Sequence, residues 1–129
     1  MATAEHGLTI GIGGLRFKVT YRQASTDRGP SLRIYGDVEG KPVQLLRFDC
    51  FENEPHFHYD PEGKNNRIFL NKARASDPIA WTIDYLRGNV TSLVRIAGYG
   101  RLADRLDEEA LTGALPGLEK ALRDSVPRG

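Results

Sequence analysis

The sequence predicts an α+β fold, an antiparallel sheet of about five or six strands followed by about three helices packed on one face. Two observations favour this class. Apolar and polar residues alternate through the first half of the chain, as they do in half-buried strands. In the second half apolar residues recur at helical spacing. Because the strands come first and the helices follow, an antiparallel sheet is favoured over alternating βαβ units.

The N-terminal segment predicts a hairpin. Apolar residues alternate from Leu8 to Ile12 and again from Leu15 to Tyr21, on either side of Gly13 and Gly14. Adjacent glycines suit the positive φ angles of a tight turn. Arginine, lysine and threonine fill the alternate positions of the second strand. One face of this hairpin should therefore be exposed to solvent.

The middle of the chain predicts four more strands. The third runs from Leu32 to about Val38 and the fourth from Val43 to Phe51. Around the end of the fourth strand the apolar positions change parity, and a continuous strand cannot change faces without a bulge or turn. The apolar residues are Leu46, Phe48 and Cys50 at even positions, then Phe51, Phe57 and Tyr59 at odd positions. We therefore break the run at 52–55, where Pro55 also lacks a ladder donor. A fifth strand over 55–60 and a sixth over 67–70 follow.

Helical patterns begin at Asp77 and Pro78, which suit an N-cap and a first helical position. This helix should end near Gly88. A second helix is predicted between Asn89 and Gly98. Acidic residues at 107–109 mark the start of a third helical region, which Pro116 interrupts and which continues to about residue 125.

Composition bounds the class of protein. The 129 residues suit a single domain, 1–129, whose ends at 1–6 and 126–129 we expect to be disordered. A net charge of +1 argues against a bulk electrostatic grip on nucleic acid or anionic lipid, although a local basic patch stays open. The sequence shows neither a signal peptide nor an apolar run long enough for a membrane span, so we expect a cytoplasmic protein.

Cys50 is the single cysteine, which excludes an internal disulfide. Its apolar neighbours predict a small buried side chain that fills space in the core.

The candidate site is the segment His56-Phe57-His58-Tyr59-Asp60. On a strand, His56, His58 and Asp60 project to one face, while the two aromatic rings project to the other and anchor the strand in the core. Two imidazoles and a carboxylate form a ligand set for a divalent transition metal, with open coordination positions. The predicted metal ligands are therefore His56, His58 and Asp60, and the sequence leaves the cofactor open, with a divalent transition metal as one candidate.

A second interpretation is metal-free acid–base catalysis. The two histidines would divide the donor and acceptor roles, and Asp60 would orient one ring. Arg67, on the neighbouring strand, would hold an anionic substrate. The candidate catalytic residues are His56, His58, Asp60 and Arg67, and the sequence does not decide whether the protein is an enzyme.

A third interpretation assigns the histidines to a solvated sheet face with no chemistry. The protein would then be an interaction module, working as a homodimer or by binding a partner. The sequence leaves open a small-molecule ligand, a protein partner or a homodimer, and it argues against nucleic acid and membrane as partners.

The chain resembles a bacterial family known only as a domain of unknown function. The matching pieces spread over about two thirds of the chain: Arg47-Phe48-Asp49, Pro55-His56-Phe57-His58-Tyr59-Asp60-Pro61, Asp77-Pro78-Ile79-Ala80-Trp81, Arg95-Ile96-Ala97-Gly98 and Leu115-Pro116-Gly117-Leu118-Glu119. The resemblance implies a small stand-alone bacterial protein. It implies no particular activity.

Overall fold

A computed structural model of the chain describes residues 7–127. Six antiparallel strands lie side by side in chain order: β1 (Leu8–Ile12), β2 (Leu15–Gln23), β3 (Arg28–Val38), β4 (Lys41–Asp49), β5 (His56–Tyr59) and β6 (Asn66–Phe69). Five helices follow within the same described range: α1 (Pro78–Leu86), α2 (Val90–Ile96), α3 (Gly100–Ala103), α4 (Glu108–Gly113) and α5 (Leu115–Asp124). The predicted α+β class is confirmed, with α3 and α4 as short additions to the three longer helices. The expectation of disordered ends falls mostly on residues outside 7–127.

The change of faces between β4 and β5 is confirmed, since the chain leaves the sheet after Asp49 and re-enters it at His56. A second irregularity lies inside β4, where the register with β3 shifts next to Ile34. Leu45 and Leu46 are both buried there although they are adjacent in sequence. A β-bulge explains this, because it lets two successive side chains point to one face.

The hydrophobic core lies between one face of the sheet and the helices. It is built from Phe17, Ile34, Phe48 and Phe57 on the strands and from leucine, isoleucine and valine side chains of the helices. The Phe57 ring stacks on Phe48 with centroids 5.0 Å apart and lies 5.4 Å from the ring of Tyr85 in α1. This packing fixes the aromatic side chains of β5 in the core, so the histidines that alternate with them face the opposite side of the sheet.

The start of α1 follows the predicted capping chemistry. The Asp77 side chain accepts a hydrogen bond from the amide of Ala80 at 3.2 Å, and Pro78 occupies the first turn of α1. The second carboxylate oxygen of Asp77 accepts from Arg123 of α5 at 3.0 Å. This bond joins the first and last helices of the layer. None of the helices between residues 7 and 127 has the length and apolarity that a membrane crossing requires.

Cys50 is buried directly after β4. Its Sγ lies 3.5 Å from the hydroxyl of Thr82 in α1. Burial raises the pKa of the Cys50 thiol to about 12, against a smaller lowering by the Thr82 hydrogen bond. The prediction of a buried filler is confirmed, because a thiol this basic supplies almost no thiolate at neutral pH.

Candidate metal centre

The antiparallel register of β4 and β5 assembles the site. Asp49 lies directly opposite His56, and Arg47 lies directly opposite His58. Strand alternation turns the intervening pair, Phe48 and Phe57, into the core and these four polar side chains to the other face. The two imidazole centroids are 5.0 Å apart. Local sequence therefore provides the histidines, and the partner strand provides the carboxylate.

Asp49, His56 and His58 form a compact cluster. One ligand atom from each lies within 4.8 Å of the other two. Asp49 Oδ2 is 3.0 Å from His56 Nε2 and 3.6 Å from His58 Nε2. The side chains are 0%, 11% and 4% exposed for Asp49, His56 and His58, respectively. Three groups able to bind a cation therefore converge in a place that is largely shielded from water.

The Asp49 carboxylate is held by donors on both of its oxygens. Oδ1 accepts from the Ser31 hydroxyl at 2.8 Å and from Arg22 at 3.2 Å, and Oδ2 accepts from Arg47 Nε at 3.1 Å. Burial alone would raise the pKa of this carboxyl, but the hydrogen bond with His56, the charge of Arg47 and the Ser31 hydroxyl hold the pKa well below its usual range. Asp49 is therefore a carboxylate at neutral pH, as a metal ligand must be.

Hydrogen bonds fix the orientation of both rings. His56 Nδ1 lies 2.9 Å from the carbonyl oxygen of Glu54, and His58 Nδ1 lies 2.7 Å from Asn65 Oδ1. A carbonyl oxygen can only accept, so His56 Nδ1 carries a proton. The Arg47 guanidinium can only donate, and its Nη2 lies 3.0 Å from His58 Nε2, so that nitrogen accepts and the proton of His58 is on Nδ1. Both rings therefore turn their Nε2 atoms toward Asp49.

The Arg47 side chain supplies a positive charge next to the cluster. Its guanidinium bridges Asp49 Oδ2 and His58 Nε2, and its side chain is 22% exposed. A positive group thus lies beside the three ligand atoms. The arrangement can exchange this guanidinium for another cation, or it can hold a proton between His56 and Asp49.

The structure does not bring Asp60, the carboxylate expected from sequence, to the histidine rings. Asp60 adopts φ = 51°, which ends the alternation of β5. Its carboxylate accepts from the amide of Lys64 at 2.8 Å and from the hydroxyl of Tyr99 at 2.5 Å. Asp60 therefore stabilises the turn after β5 and its contact with the helical layer, and Asp49 stands beside the rings instead.

Arg67 lies near the site, on β6 directly opposite His58. Its guanidinium covers the ring of Phe69, 4.9 Å from the centroid. Together with His56, Phe51 and Glu54 it lines an open cleft of about 460 Å³. Arg67 therefore borders the same open cleft as His56.

Sequence reasoning missed Arg22, Ser31, Arg47 and Asp49. The signal for two of them was present, because the alternation Arg47-Phe48-Asp49 matches His56-Phe57-His58 once the segments are paired as a hairpin. Arg22 and Ser31 reach Asp49 from β2 and β3, and no spacing in the sequence indicates that contact.

The fold and the site define an α+β domain with a buried carboxylate–imidazole cluster on the sheet face opposite its helices. The family described as Domain of unknown function (DUF7700) matches residues 9–122, and the chain belongs to that family. The resemblance to a family known only as a domain of unknown function is thereby confirmed. No curated protein and no solved structure matched the chain.

Proposed function

We propose that this domain binds a divalent transition-metal ion through the Nε2 atoms of His56 and His58 and a carboxylate oxygen of Asp49. The observation that carries the proposal is the convergence of these three ligand atoms within 4.8 Å of one another. Two imidazoles with one carboxylate suit zinc, manganese or ferrous iron and leave coordination positions for water or substrate. The chemistry that follows is that of a metal with open positions, such as hydrolysis or oxygenation.

The second ring nitrogens support this proposal. Histidine ligands of metals characteristically donate their other N–H to a carbonyl or amide oxygen, which fixes the tautomer and points the lone pair at the ion. The Glu54 carbonyl and the Asn65 side chain stand in these positions for His56 and His58. A solvated pair of histidines on a sheet face requires no such partners.

Arg47 sets the condition for binding. An ion that takes the Nε2 atom of His58 must displace the guanidinium that now donates to it. The partly exposed Arg47 side chain can rotate toward solvent, so the exchange needs no change in the backbone. Metal affinity therefore reflects competition between two cations.

The experiment is calorimetric titration of tag-free, chelator-stripped protein with Zn²⁺, Mn²⁺ and Fe²⁺. We expect one ion per chain and loss of binding in Asp49→Asn and His56→Gln. Asp60→Asn is the matched carboxylate control and should bind like the wild type, because Asp60 faces Tyr99. Thermal unfolding of each variant without metal separates lost ligation from lost folding. Absence of binding by the folded wild type, or equal loss in Asp60→Asn, would refute this ligand set.

A second candidate function is general acid catalysis by His56 without metal. His56 Nδ1–H donates to a carbonyl oxygen and its Nε2 lies 3.0 Å from the Asp49 carboxylate, so both ring nitrogens face an acceptor at the edge of the cleft. Such a ring can transfer a proton to a substrate leaving group. The titration distinguishes the two candidates, since this one predicts a folded protein that binds none of the three ions.

A further inference from the structure

The sheet face opposite the helices carries a row of basic side chains aligned across its strands. The register pairs residues directly opposite one another on β2 to β6 in the order Lys18, Arg33, Arg47, His58, Arg67. We call these five residues the basic row. Four of them are permanently cationic at neutral pH. The row contains no acidic residue, although the net charge of the chain is only +1.

Placing like charges directly opposite one another destabilises a sheet. The adjoining row supplies one carboxylate, Asp49, which is buried and accepts from Arg47, Arg22 and Ser31. At the two ends of the basic row, no ion pair to Lys18 or Arg67 is found within residues 7–127. An arrangement that costs stability and leaves the cations at both ends of the row without an ion pair among the described residues indicates an anionic partner.

The length of the row and its end residue define that partner. Four steps between strands at about 4.8 Å extend about 19 Å, which exceeds the size of a single phosphate group. At the β6 end, Phe69 is 53% exposed and lies beneath the guanidinium of Arg67. An exposed aromatic ring beside a basic track is how single strands are bound, with bases stacked on rings and phosphates along the cations.

We infer that the basic row binds a single strand of nucleic acid, with the phosphates along the row and a base stacked on Phe69. Within the row His58 is buried and is also a proposed metal ligand, so we assign the contacts with the strand to the lysine and arginine side chains and to Phe69, none of which is a metal ligand. The near-neutral charge of the whole chain argued against a nucleic-acid partner only because it averages this face with the acidic residues elsewhere.

Fluorescence anisotropy with labelled 12-residue oligo(dT) and oligo(U) tests the inference between 50 and 200 mM salt, with chelator present. About three neutralised phosphates predict a slope of about −2 for log K against log[salt]. In Lys18→Ala/Arg67→Ala, we expect a slope shallower by about 1.4 and affinity at 50 mM salt at least about tenfold weaker. Phe69→Ala should weaken binding by about fivefold or more without changing the slope.

The matched control is Arg87→Ala/Lys120→Ala, which removes the same charge from the helical side of the molecule. Arg87 and Lys120 form exposed ion pairs with Asp84 and Asp124, so their loss should leave folding and binding within about twofold of wild type. Circular dichroism verifies that every variant is folded. The inference is overturned if the wild type does not bind at 50 mM salt or if the two double variants bind equally. Tighter binding of duplex than of single strand, or displacement of the oligonucleotide by equimolar tripolyphosphate, would also overturn it.

Discussion

Replacing Arg47 by glutamine should tighten metal binding while it destabilises the metal-free protein. The Arg47 guanidinium makes two charge-assisted hydrogen bonds, to Asp49 Oδ2 at 3.1 Å and to His58 Nε2 at 3.0 Å. An incoming ion must break both. In Arg47→Gln the two acceptor atoms are available to the ion without that competition.

The magnitude follows from the bonds that are lost. A hydrogen bond to a charged group contributes about 1.5–3 kcal/mol, and part of this returns when the displaced guanidinium is hydrated. A net gain of about 2 kcal/mol corresponds to about 30-fold tighter binding. Without metal, the variant should lose about 1–2 kcal/mol of unfolding free energy. We discount the larger cost of breaking a fully buried pair, because Arg47 is partly exposed and Asp49 keeps Arg22, Ser31 and His56.

Calorimetric titration with Zn²⁺ and urea unfolding without metal measure the two effects. Arg22→Gln is the matched control, because Arg22 donates to Asp49 Oδ1, the oxygen turned away from the rings. It should lose similar stability and change the metal affinity by less than about threefold. If both variants lose stability and neither gains affinity, the cluster is an ion network that supports the fold, and the competition argument fails.

Two further predictions concern the same strands. Asp49 has its pKa depressed below the ordinary 3.8, so below about pH 5 the unfolded chain binds more protons than the folded one and stability falls. Urea unfolding should therefore show that the wild type loses about 1 kcal/mol more than Asp49→Asn between pH 5 and pH 3; equal losses would contradict this. Phe57→Ala should cost about 3–5 kcal/mol in the same assay, because it removes the ring that packs β5 on α1, whereas Phe69→Ala should cost less than about 1 kcal/mol.

Local pattern was enough to locate the histidines but not their carboxylate. Alternation around Phe57 correctly directed both rings to one face, since it depends only on the period of a strand. The choice between Asp49 and Asp60 depended on conformation at a single residue. Asp60 is directly in line with the histidines in sequence, but its positive φ removes it from the strand, and aspartate is among the residues that tolerate that region.

The position of Asp49 beside the histidines depends on a contact between residues that are far apart in the sequence. The connection between β4 and β5 is held by Asp27, whose carboxylate accepts from the amides of Asn53 at 3.0 Å and Glu54 at 2.8 Å. Burial works against the charged form of Asp27, but these backbone hydrogen bonds lower its pKa overall. The same bonds place the Glu54 carbonyl that orients His56. A loop between β2 and β3 therefore sets the geometry of the site, which no reading of the hairpin alone reveals.

The cost of burying Asp49 is the strongest physical argument for a function at this site. A buried ion network of this kind rarely stabilises a fold more than apolar residues of the same shape would, because each charge must be removed from water. The opposite face of the same two strands demonstrates the apolar solution, with Phe48 and Phe57 stacked against the helices. Apolar side chains around residue 49 would stabilise this face of the sheet in the same way. The chain instead surrounds one carboxylate with two oriented imidazoles and a guanidinium, which is the arrangement that the proposed binding of a metal ion would use.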